Sequence, residues 1–147
     1  MPRTSAFRTN VLALAGLLLA ACGGGGGEGA AGHTEPAHLV EDETAAFERY
    51  RVVLTEHAAE RLGVQTAPVV AGGGGARVVP YAALIYDEHG AVWAYTNPEP
   101  LTYVREPVAV TRIDGPRALV SRGPAVGTAV VTVGTAELYG TEFGVGH

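Results

Sequence analysis

From Val79 to Val133 glycine or proline interrupts the chain every few residues, and the stretches between them are short, apolar and rich in β-branched side chains. A helix needs an uninterrupted run with a 3.6-residue apolar repeat, and none occurs there, so these stretches are predicted strands. The clearest pair is Ala82 to Tyr86 and Ala91 to Thr96, joined by Asp87-Glu88-His89-Gly90, whose last residue can take a positive φ. That pattern predicts a β-hairpin. Pro80 stands at the entry to the first arm, where its missing N–H removes no ladder bond.

The same grammar continues on both sides. Val64 to Val70 alternates as a strand, with Pro68 pointing to a sheet edge. Leu101 to Val110 reads as one longer strand in which Pro107 implies a bulge or an edge. Turns at Asp114-Gly115 and Arg122-Gly123-Pro124 separate strands over Arg117 to Ser121 and Thr128 to Val133. One short helix is expected earlier, with Thr55 as N-cap before Glu56 to Leu62 and Gly63 closing it. The expected fold class is all-β, a small antiparallel barrel or sandwich of about six to seven strands with that single helix. The tail Tyr139-Gly140-Thr141-Glu142-Phe143-Gly144 reads as an added edge strand or a frayed end.

The 147 residues leave room for one modest core, and 21 glycines reduce the number of side chains able to fill it. The first residues stand apart. Arg3 and Arg8 precede an apolar run from Val11 to Ala21, too short to cross a bilayer as a helix but suited to a secretory signal. It ends in Leu19-Ala20-Ala21-Cys22, which resembles the cleavage box of bacterial lipoprotein precursors, and Cys22 is the only cysteine. The resemblance implies a signal peptide over residues 1–21 and attachment to membrane lipid through Cys22. Several acyl chains at ~0.8 kcal/mol per buried methylene are enough for stable anchoring.

Residues 22–48 open on five glycines and contain little to bury, so a flexible spacer is expected there, followed by a domain over residues 49–143. Glu28, Glu35, Glu41, Asp42, Glu43 and Glu48 face only Arg49 in the spacer and its border, whereas the segment from Tyr50 onward carries nine acids and seven arginines. With no basic stripe to neutralise phosphates, nucleic acid is not an expected partner.

Two blocks of residues resemble the periplasmic adaptor subunits, or membrane fusion proteins, of resistance-nodulation-division efflux pumps, particularly the heavy-metal branch. The first is Thr55-Glu56-His57-Ala58-Ala59-Glu60-Arg61-Leu62-Gly63-Val64-Gln65-Thr66-Ala67-Pro68-Val69. The second runs through Val79 to Tyr86, Gly90 to Tyr95, Arg105 to Val110, Gly123 to Gly134 and Ala136-Glu137-Leu138, in the same order. The resemblance implies that the two ends of an adaptor, which form its membrane-proximal β-domain, are joined here at Gly72 to Gly75. The lipoyl-like module, helical hairpin and middle barrel would be absent. Without the helical hairpin, a complete adaptor role is not implied.

Catalytic chemistry finds little in the residues. Ser121 has no nucleophile elbow, His57, His89 and His147 are scattered, and Asp87, Glu88 and His89 are adjacent turn residues that point different ways. No enzyme and no cofactor is expected. Histidines 33 and 38 match no zinc spacing, and the sole methionine, Met1, belongs to the signal segment, so no metal ligands are assigned. Trp93 and Tyr95, two residues apart, share one strand face and form a candidate partner contact.

The expectation is therefore an exported, lipid-anchored module facing the periplasm that docks on a transporter or adaptor subunit. The alternative is a stand-alone metal-binding or chaperone-like lipoprotein using His57, His89 or the spacer histidines. Gly23 follows Cys22 where an aspartate would favour inner-membrane retention, which leaves either membrane open. Metabolic labelling with palmitate should mark the wild-type protein and fail to mark Cys22→Ser; undiminished label on the variant would contradict lipidation at this residue.

Overall fold

Proline governs where this chain changes sheets. In the structure, a computed structural model that describes residues 34–41 and 50–144, eleven strands among the described residues form two antiparallel sheets. The larger sheet contains β1 (Ala37–Glu41), β2 (Tyr50–Leu54), β3 (Gln65–Pro68), β6 (Leu84–Tyr86), β7 (Val92–Glu99), β8 (Thr102–Pro107) and β11 (Ala129–Val133). Its order is β1-β2-β8-β7-β11-β3, with β6 also paired to β7. The smaller sheet is β4 (Val70–Ala71), β5 (Arg77–Pro80), β10 (Arg117–Arg122) and β9 (Ala109–Asp114), in the order β4-β5-β10-β9.

The chain passes between sheets at Pro68-Val69, at Pro80 and the 3₁₀ turn Tyr81–Ala83, at Pro107-Val108 and at Gly123-Pro124. Each passage contains a proline, which cannot donate to a ladder and so ends pairing there. The pivot residues keep their backbone groups paired: Val69 N–H donates to Thr128 O at 2.9 Å and Val108 N–H to Val92 O at 2.8 Å. Their side chains are buried in the core shared by the two sheets.

These passages account for differences from the sequence reading. Leu101 to Val110 is two strands in different sheets rather than one bulged strand, and Val64 to Val70 likewise divides at Val69. The sheets stack and do not close into a barrel. Residues 37–41, placed within the spacer, form an edge strand because their backbone pairs with β2 from Ala37 opposite Leu54 to Glu41 opposite Tyr50. The rest of the proposed spacer, 22–33 and 42–48, lies outside the described residues, as does the signal segment.

The larger sheet is covered on both faces. One face joins the smaller sheet through Ala94, Val130, Val79, Ala118 and Val120, all fully buried. The other carries Val52, Leu54, Tyr95, Tyr103 and Val131 against two helices. Helix α1 (Glu56–Leu62) forms as its residues predict: Thr55 Oγ1 accepts from Ala58 N–H at 3.2 Å, and Gly63 closes the helix at φ 60°. Helix α2 (Thr135–Phe143) replaces the edge strand or frayed end expected of the tail. Leu138 and Glu142 are four residues apart, so both face the sheet, and the rings of Tyr139 and Phe143 meet at the same spacing with centroids 4.6 Å apart. Among the described residues, no helix is long and apolar enough to cross a membrane.

Gly72 to Gly75 form the tip of the β4–β5 hairpin, in which Val70 pairs with Val78 and Ala71 with Arg77. The segment before them is not a separate body, since β2 pairs with β8 and β3 with β11. A Cβ at Gly73, Gly74 or Gly75 would meet nothing within 4 Å. Inserting four Gly/Ser residues between Gly73 and Gly74 should therefore cost only about 0.6 kcal/mol, the closure penalty for doubling a short loop. Urea unfolding checks this, and a loss several times larger would show that the loop carries packing of its own.

Candidate functional site

Three strand positions and the C-terminal helix assemble the most strongly polar interior cluster among the described residues. β7 and β8 pair so that Tyr95 stands opposite Arg105 and Trp93 opposite Pro107. Alternation along each strand places Trp93, Tyr95, Tyr103 and Arg105 on the helix-covered face. Glu142 arrives from the last turn of α2. Its carboxylate accepts from the Tyr95 hydroxyl and from Arg105 Nε, with both carboxylate oxygens 3.2 Å from that nitrogen. The side chains of Arg105 and Glu142 are only 8% and 1% exposed, so this ion pair is shielded from water.

The Arg105 guanidinium also lies between two rings, with its central carbon 4.1 Å from the Trp93 centroid and 4.8 Å from that of Phe143. Cation–π attraction strengthens when the cation is desolvated. Trp93 is oriented in turn by Asp87, whose Oδ2 accepts from the indole Nε1 at 2.9 Å. The other oxygen of Asp87 accepts from the backbone N–H groups of His89 and Ala91, closing the hairpin turn. The Trp93 bond, followed by those backbone donors and the nearby His89, holds the Asp87 carboxyl below its usual range despite partial desolvation. A continuous polar path therefore runs from the β6–β7 turn through Trp93 and Arg105 to α2.

Burial, reinforced by the hydrogen bond and negative charge of Glu142, pushes the Tyr95 phenol far above its usual value. Ionising it would place a second anion against the carboxylate, so the phenol serves as a donor. Burial also raises Tyr103. With its donors directed inward, the cluster orders the helix–sheet interface.

The two candidate contact residues separate in role. Tyr95 is fully buried and belongs to the core, correcting its assignment as a partner contact, because the same strand face that holds Trp93 is roofed by α2. Trp93 is half-buried and committed to Asp87 and Arg105. His57 and His89 are exposed on different elements, α1 and the hairpin turn, and His89 Nε2 lies 3.5 Å from Glu88. Ser121 is exposed on β10, where its hydroxyl donates to Ala109 O at 3.4 Å. Among the described residues, no three His, Cys, Asp or Glu side chains are grouped to hold a metal ion. Cys22, His33 and His147 lie outside the described residues.

A second feature is an open groove of about 930 Å³ between the β1 segment and α2, lined by Glu35, His38, Leu39, Glu137 and Thr141 among others. Sequence reasoning missed Arg105 and Glu142. Both residues appeared in motifs as ordinary strand or tail positions, and nothing in local spacing links them across 37 residues.

Removing Arg105 strands a buried carboxylate, so Arg105→Ala should cost about 3–5 kcal/mol in urea unfolding. The phenol of Tyr95 has a folded pKa raised above the unfolded value of about 10. Its stabilising contribution is therefore complete below that pH and declines as pH rises above it. Tyr95→Phe should flatten the alkaline loss of stability by about 1.4 kcal/mol per pH unit above pH ~10. Parallel wild-type and variant curves would remove Tyr95 from this role. Comparison with known protein families, curated proteins and solved structures finds no match to this chain.

Proposed function

We propose that this chain is an exported, lipid-anchored accessory protein facing the periplasm, similar to the membrane-proximal β-domain of an efflux-pump adaptor, and that it acts by docking on protein rather than by covalent chemistry. The observation that supports the reading is the strand pairing across Gly72 to Gly75: β2 lies beside β8, and β3 beside β11. Such pairing is what the resemblance requires, because the adaptor domain is assembled from the two ends of its chain. The glycine hairpin occupies the point where an adaptor would carry its other modules.

Docking through backbone edges suits the surface. β9 borders the smaller sheet and β1 the larger, with Ile113 49%, Leu39 42% and Val40 43% exposed. Edge strands recruit partners by extending a sheet, and an anchor at Cys22 would raise the local concentration of the module at a membrane. The partner proposed is an inner-membrane efflux transporter or one of its adaptor subunits.

A photo-crosslinking residue placed at Ile113 or Leu39 of the full-length protein in cells should trap a transporter or adaptor subunit, identified by mass spectrometry. Recovery of no transport protein from either position would contradict the reading.

A further inference from the structure

Helix α2 is not self-sufficient. It has nine residues, shorter than a helix that holds together alone in water. Gly140 and Thr141 in its interior are poor helix formers, and Gly134 supplies no capping side chain at its start. Its two fully turned-in side chains are Leu138 and Glu142. The helix therefore depends on its docking site for order.

Two contacts hold it to the larger sheet. Leu138 joins the apolar cluster of Val52, Leu54, Tyr95, Tyr103 and Val131, while Glu142 enters the Arg105–Tyr95 socket. A half-lifted helix would bury a carboxylate with its partners lost, a state penalised more heavily than either extreme. When α2 is fully withdrawn, Glu142 gains water and Arg105 retains the Trp93 ring. Gly134, at φ 92°, is the single residue between β11 and α2, and lacking a side chain it can change backbone region freely.

The geometry points to α2 as a releasable latch: the helix pivots at Gly134, the Glu142 key leaves Arg105 and Tyr95, and part of the apolar face of the larger sheet is uncovered. This inference rests on the helix–sheet contacts and is independent of any docking partner. Desolvation of its two charges offsets much of a buried ion pair's attraction, which suits a contact that must be reversible.

Native-state amide hydrogen exchange on the full chain tests it, with β7 and β8 amides as an internal measure of global unfolding. In the wild type, α2 amides should exchange at least about tenfold faster than those of β7 and β8. Glu142→Gln removes the charge facing Arg105 and so weakens the docked state from which both openings start; α2 and strand amides should both exchange about tenfold faster, with the gap between them kept. Three results would overturn the latch. They are equal protection of α2 and the strands in the wild type, no response of α2 to Glu142→Gln, and exchange of α2 and the strands at one common rate in that variant, which would make the helix part of the global unit.

Discussion

Four prolines that cannot continue a hydrogen-bonded ladder divide this chain between two sheets. Pro68, Pro80, Pro107 and Pro124 each stand where the backbone leaves one sheet for the other. Because the ladder must stop there, the next strand can tilt away and cover the face of the strand just completed. Val69 and Val108 fill the corners, and their N–H groups find acceptors in the opposite run of chain, so the turns are buried without orphaned donors. Stacking of the sheets follows from these corners.

Stacking imposes a second constraint on the larger sheet, whose strands must present apolar side chains to both layers. β7 meets it by alternating size: Ala94 faces the smaller sheet and Tyr95 the helices, both with no exposed surface. A phenol on the helix side brings a hydroxyl into an apolar layer, and a buried hydroxyl needs a partner. Glu142 provides one, Arg105 neutralises Glu142, and Trp93 and Phe143 enclose Arg105. The polar cluster is thus the consequence of fitting a large amphipathic ring between a sheet and a short helix.

Local chemistry was legible in the sequence wherever a residue type dictates backbone shape. Thr55 and Gly63 bounded α1, Asp87 to Gly90 marked the hairpin, and Pro68 identified a strand at the sheet edge. The exchange between sheets was not legible, because a proline that ends a ladder looks the same whether the chain then bulges or departs. Helix α2 was hidden by Gly140 and Gly144, whose composition suggests a loop; the only available signals were pairs four residues apart, Leu138 with Glu142 and Tyr139 with Phe143. The ion pair was unreadable since its members meet only after three elements have packed. The strand at 37–41 was likewise obscured by the acidic, glycine-rich sequence around it.

The central claim is that residues on both sides of Gly72 to Gly75 are interleaved in one β-body. Long-range nuclear Overhauser contacts between backbone protons measure this directly. The account predicts cross-strand contacts between Val52 and Tyr103 and between Thr66 and Val131, the pairs that place β2 against β8 and β3 against β11. A folded protein in which residues 50–71 show no contacts to residues 102–133 would contradict it.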